Sequence, residues 1–124
     1  MYRKKIKRTN ASLKALLNRK KKLFDLLNTR KMFCMGNIVE KMEICGTPTC
    51  GCRNKKNPKL HGPYLNLAYR GGDKSGMLHL TPQKAKFAKI MVKQYNDIWD
   101  IIREIACINL ELLRRKEFES LKNS

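Results

Sequence analysis

Three cysteines and a histidine stand close together in the pattern Cys45-x4-Cys50-x-Cys52-x8-His61. Three thiolates and one imidazole are the donor set of a tetrahedral Zn²⁺ site, and four protein ligands make such a site closed and structural. The Cys50-x-Cys52 spacing is one residue shorter than the usual C-x2-C. Gly51 between them is expected to leave the backbone free to turn both sulfurs toward one ion. From Cys45 to Pro63 the chain is rich in Gly, Pro, Asn and Cys and poor in large apolar residues, so burial alone does not hold its shape. The ligands thus fall where a staple is required.

Other chemistry fits these residues less well. The five cysteines are an odd count, and the basic composition carries no apolar leader, so a disulfide framework of a secreted protein is not expected. A nucleophilic Cys–His pair is disfavoured by three crowded thiols. Cys34 and Cys107 lie among apolar helical residues and read as buried small hydrophobes. His79, at a hairpin end, is the reserve ligand should His61 fail. Asp97, Asp100, Glu104 and Glu111 stand beside Lys93, Arg103, Arg114 and Arg115, which reads as solvated helix faces rather than acid–base pairs. No phosphate-cradling glycine loop is present. No enzyme activity is expected.

The elements that must position the ligands follow from periodicity. Residues 1–11 form a basic arm too poor in apolar groups to fold alone. Residues 12–35 read as a basic amphipathic helix with Ser12 as its N-cap, an apolar stripe of Leu13, Leu16, Leu17, Leu23, Phe24 and Leu27, and a stop at Gly36. Residues 36–80 form the metal-binding β element, with a strand from Asn37 to Ile44. A hairpin follows, whose turn at 71–76 looks longer than the tightest type. Thr81-Pro82 is a strong start signal for a helix running to about residue 119, followed by the tail of segment 81–124. In that helix Met91, Tyr95, Ile98, Ile102, Ile105, Asn109 and Leu112 repeat at heptad spacing, a candidate coiled-coil seam with Asn109 fixing register. The stripe could equally pack on the first helix. The expected fold class is α+β, mostly helical.

Charge points to the partner. The 124-residue chain has 28 Lys+Arg against 10 Asp+Glu, a net charge of +18, and residues 1–31 carry +11 of it. Such self-repulsion opposes compaction, and phosphate backbones are the commonest polyanions able to relieve it. The length excludes a large multi-domain enzyme, and no apolar run is long enough for a membrane span. A cytoplasmic protein with no membrane partner is expected.

The string Gly36-x-Ile38-Val39-Glu40-Lys41, Cys45-Gly46-x-Pro48-x-Cys50-x-Cys52, His61-Gly62-Pro63-Tyr64-x-x-Leu67 resembles a family of small prokaryotic proteins whose shared domain has no established function. The resemblance covers about residues 36–82, plus a following long helix. It implies a zinc centre held by Cys45, Cys50, Cys52 and His61. It also implies a return into the hairpin shaped by Gly62-Pro63-Tyr64, and a loose association with mobile genetic elements.

These observations converge on a zinc-containing protein that binds DNA or RNA through the backbone. The expected contacts are Arg3, Lys4, Lys5, Lys7 and Arg8 in the arm, Arg19, Lys20, Lys21 and Lys22 on the first helix, and Arg53, Lys55, Lys56 and Lys59 in the metal loop. Tyr64 and Tyr69 are candidate stacking platforms. Two rival readings are a structural subunit of a ribonucleoprotein assembly and a dimeric adaptor working through the 82–119 helix.

Overall fold

The computed structural model describes residues 9–123. The expected arm contacts Arg3, Lys4, Lys5, Lys7 and Arg8 lie outside the described residues. The fold is α+β, with three helices and a three-stranded antiparallel sheet in the order β1-β2-β3 among the described residues. No helix among the described residues is long and apolar enough to cross a membrane. The chain divides into two units, one drawn from residues up to Met32 together with those from Gln94, the other spanning Phe33–Lys93.

The first unit is a helix pair. Helix α1 covers Leu13–Thr29, and the Ser12 side chain caps it by accepting from the Ala15 N–H at 3.2 Å. It ends at Thr29, well short of Gly36, where the Arg30 N–H turns back to the Leu27 carbonyl. Its buried stripe is Leu16, Lys20 and Leu23, while Phe24, expected inside, is 45% exposed. Against it lie Ile101, Ile105, Ile108 and Leu112 of α2, the helix at Pro82–Arg114. The observed stripe is rotated from the expected one. Ile102 is exposed and Asn109 half-buried, its Oδ1 without a hydrogen-bond partner. Of the face read as a candidate dimer seam, Ile105 and Leu112 pack in one cluster with Leu16 and Leu23 of the same chain. Fully burying each such aliphatic side chain contributes about 1.5–3 kcal/mol, so this packing is the main stabilisation of the pair.

Of the charges read as solvated, i,i+4-paired faces, Glu104 stays half exposed and Glu111 departs by being buried. Arg19 grips Glu104 across the helices through two bonds, Nε to Oε1 at 2.9 Å and a second to Oε2 at 3.0 Å. Glu111 is only 4% exposed and pairs with Arg115 at 3.1 Å and Arg114 at 3.6 Å.

Helix α2 starts as the sequence dictates, with Pro82 first and the Thr81 hydroxyl accepting from the Lys84 N–H. It stops at Arg114 rather than near residue 119. Lys116 takes φ +59°, its N–H bonds the Leu113 carbonyl, and the Glu117 N–H bonds the Leu112 carbonyl. This is a Schellman stop with lysine where glycine is usual. A short helix α3, Phe118–Asn123, follows, and Leu121 packs back onto the helix-pair core.

The second unit is the sheet with the start of α2 laid on one face. Strand β1 is Asn37–Glu43, β2 is His61–Gly71 and β3 is Lys74–Leu80. Leu67 and Leu80 bury against Ala85 and Ala88, with Cys34, Ile38, Leu65 and Val92 around them. The hairpin pairs Gly71 with Lys74, leaving Gly72 and Asp73 as the loop. The turn is thus the tightest type, not a longer one, and Gly72 at φ +63° makes it possible. Tyr69, a proposed stacking platform, instead lays its ring over its cross-strand partner Gly76, where an added methyl would overlap it.

Replacing Lys116 by Gly removes a side chain from a left-handed position, so Lys116→Gly should raise stability by about 1 kcal/mol. Leu23→Ala should lower it by about 2–5 kcal/mol. Denaturant melts of the two variants check both signs.

Candidate metal centre

The first and last ligands meet because of strand pairing. β1 and β2 run antiparallel with Glu43 opposite His61, so Cys45, two residues beyond Glu43, and His61, the first residue of β2, share one end of the sheet. The register shifts between Lys41 and Glu43, where β1 advances two residues while β2 advances three, from Tyr64 to His61, so the extra residue lies in β2 at Gly62–Pro63, beside the site. Gly62, at φ +123°, follows the ligand within β2. A Cβ there would come within 2.8 Å of the Tyr64 nitrogen and 2.9 Å of the Lys41 carbonyl oxygen. The Gly62–Pro63 peptide bond is cis.

The middle ligands are placed by a short 3₁₀ turn at Gly51–Arg53. The Cys50 N–H bonds the Thr47 carbonyl, and the Arg53 and Asn54 N–H groups bond the Cys50 and Gly51 carbonyls. Gly51 was expected to leave the backbone free to turn both sulfurs, but its φ is not positive and a Cβ on it would meet only Lys59 Cβ at 4.0 Å. The 3₁₀ turn, not glycine, brings the two sulfurs round. Downstream, Asn54 Oδ1 accepts from the Lys56 and Asn57 N–H groups, and the Lys59 N–H closes onto the Gly51 carbonyl.

The ligand atoms of Cys45, Cys50, Cys52 and His61 all lie within 4.8 Å of one another. Cys45 Sγ and Cys52 Sγ are 3.6 Å apart, and Cys50 Sγ is 3.2 Å from His61 Nε2. All five cysteines are free thiols. A tetrahedral ion with metal–sulfur and metal–nitrogen bonds of about 2.3 and 2.05 Å places its donors about 3.8 and 3.5 Å apart. These two spacings fall a few tenths short of those values, and all four donors lie within 4.8 Å of one another. The four residues therefore fit the role of ligands to a metal ion.

The electrostatics suit the same role. The Cys45 thiol is drawn down to about 6, chiefly by the Thr47 backbone N–H and then by Cys50. Cys50 is also lowered, first by the Cys52 backbone N–H and next by His61. Cys52 is 1% exposed and burial pushes its thiol up, while the Cys45 N–H points at its sulfur from 3.4 Å. His61 is raised by its hydrogen bond to Cys50. His79, the reserve ligand, stands outside the cluster with its ring edge-on to Tyr64 at 5.7 Å. Cys34 is half-buried, its thiol raised by burial, and Cys107 is half-buried on α2.

The expected phosphate contacts divide sharply. Lys21 and Lys22 are exposed, as are Arg53, Lys55, Lys56 and Lys59. Lys20 is not available: it is 2% exposed in the helix-pair core, and burial holds its ammonium below the usual lysine range. Arg19 is engaged by Glu104. Arg53 donates from Nε at 3.2 Å and from a terminal nitrogen at 2.7 Å to the Cys45 carbonyl, so it braces the metal loop. Lys20 was among the expected phosphate contacts of the first helix. Its position one turn from both Leu16 and Leu23 was the signal for burial.

A family described as "Domain of unknown function (DUF6788)" matches residues 5–88, and the chain belongs to it. That span reaches well beyond the 36–82 segment of the resemblance and takes in α1 and the first two turns of α2. No curated protein and no solved structure matches the chain.

Purified protein should hold one metal ion per chain, and Cys50→Ser should lose it together with hydrogen-exchange protection of residues 45–60, as mass spectrometry will show. Gly62→Ala should cost about 1–3 kcal/mol through its positive φ, whereas Gly51→Ala should leave metal content and melting temperature near wild type.

Proposed function

We propose that this member of a family without known function is a small zinc-stabilised protein that binds nucleic acid through its phosphate backbone. The observation that carries the reading is the charge of the segment held by the cluster. No acidic residue occurs between Glu43 and Asp73, while Arg53, Lys55, Lys56, Lys59 and Arg70 do, and all five are exposed. A solvated surface ordinarily mixes both signs, so one-signed charge on an ordered loop favours a polyanionic partner.

Zinc is the ion best matched to three thiolates and one imidazole where no redox chemistry is wanted. Bound there, it would fix the loop so that Lys55, Lys56 and Lys59 present their charges from one ordered backbone. Lys14, Lys21 and Lys22, exposed on α1, extend the cationic surface. The proposed role is binding rather than catalysis, since the Cys and His side chains are used as ligands.

Binding should weaken linearly in log K against log salt, by about 0.9 per duplex phosphate contact and about 0.7 per single-strand contact. Changing Lys55, Lys56 and Lys59 together to Ala should flatten the duplex slope by up to about 2.7 and leave metal content unchanged. Lys20→Met should alter neither slope nor affinity, because its ammonium is buried. Fluorescence anisotropy across a potassium chloride series measures both. A wild-type chain that binds neither DNA nor RNA would defeat the proposal.

A further inference from the structure

The second unit contains a groove that the metal loop does not explain. Its volume is about 780 Å³, within the range of about 300–1,000 Å³ usual for ligand sites. Pro63, Leu65, Leu80, Ala85 and Ile90 give it an apolar floor. Tyr64 and His79 form one wall, their rings 5.7 Å apart at 71°, and Lys86 and Lys89 form another. The two lysines are three residues apart on α2, hence on one face, and both are exposed. Neither makes an ion pair among the described residues, and no acidic side chain lines the groove.

The ring pair also lines a smaller hollow of about 440 Å³ that includes Cys45 and His61. Tyr64 and His79 are thus a wall common to the metal centre and the groove. An apolar floor, an exposed imidazole and two unpaired cations are complementary to a flat, apolar-faced ring carrying phosphate. In a duplex the base faces are already stacked on one another. Only an unpaired strand can offer one to His79.

We infer that the groove between Tyr64–His79 and Lys86–Lys89 binds single-stranded nucleic acid, with a base stacked on the His79 ring and adjoining phosphates held by the two lysines. This rests on the nucleic-acid reading above and adds to it the strand state of the ligand and three residues, His79, Lys86 and Lys89. The metal loop then supplies strand-independent attraction, and the groove supplies preference for unpaired bases.

The test uses the full chain with its metal, a 12-nucleotide oligo-dU or oligo-U, a duplex of equal charge, and polyphosphate as a polyanion without bases. Wild type should bind the single strand at least tenfold more tightly than polyphosphate at the same salt. His79→Ala should weaken single-strand binding about tenfold with no change of salt slope, because stacking releases no counterion, and His79→Phe should restore it. Lys86→Ala with Lys89→Ala should weaken it about tenfold and flatten the slope by about 1.4, two contacts at about 0.7 each. Duplex binding should change by less than threefold in His79→Ala. A 4-thiouridine oligonucleotide photocrosslinked to wild type should mark the peptide spanning residues 79–90, which keeps the test independent of how the variants fold. If wild type binds the oligonucleotide but the groove variants match it and the crosslink falls elsewhere, the groove assignment is overturned while the nucleic-acid reading stands. If polyphosphate competes as well as the oligonucleotide, the base-stacking claim fails. If wild type binds no nucleic acid, both readings fall together.

Discussion

Residues 46–60 form the longest stretch of the described chain that has almost no burial of its own, and it is there that three thiols and an imidazole converge in a set that could hold a metal ion. Only Cys52 in this stretch is buried. Ordering each residue costs about 1–2 kcal/mol of backbone entropy, whereas one buried side chain returns about 1.5–3 kcal/mol. Apolar packing therefore loses by a wide margin, and local hydrogen bonds worth about 1 kcal/mol each narrow the gap without closing it. By analogy with a covalent bridge, an ion tying a loop of about 15 residues would remove roughly 3 kcal/mol of unfolded-state freedom. The sheet does the rest by bringing Cys45 and His61 to one edge, which is why the β1–β2 register and the fold of the loop depend on each other.

The same site organises charge. Arg53, the cation nearest the cluster in sequence, turns inward to the Cys45 carbonyl, and the cations beyond it remain outside. In the helix pair a similar division holds: Arg19 is paired and Lys20 is buried, while Lys14, Lys21 and Lys22 face solvent. A large positive charge is tolerable in so short a chain because part of it is consumed in structure and the remainder is spread over exposed surface, where water screens it.

Much of the local structure was legible because it rests on chemistry confined to a few neighbouring residues. The Ser12 cap, the Thr81-Pro82 helix start and the strand after Gly36 each depend on side chains within four positions. The Cys45, Cys50, Cys52 and His61 set was legible for a related reason: a loop with no apolar content advertises its need for another restraint. Helix ends were less legible. α1 stops at Thr29 and α2 at Arg114 through backbone bonds whose signals are not glycine, and Lys116 occupies a left-handed position that no composition rule marks.

The amino-acid sequence by itself determined the donor set, the excess of positive charge, the order of helix and strand, and the α+β class, since each follows from residue type and short-range spacing. Only the tertiary structure decided which face of each helix is inside. A heptad reading of α2 and the packing observed share Ile105 and Leu112 but differ at the alternate positions, Ile101 and Ile108 in place of Ile102 and Asn109, and that choice turned on where Leu16 and Leu23 of a helix some eighty residues away come to rest. The fate of individual cations was decided in the same way. Lys20 and Lys21 are indistinguishable as letters, but one points into the core and the other into water, and a hundred degrees of helix rotation separates them.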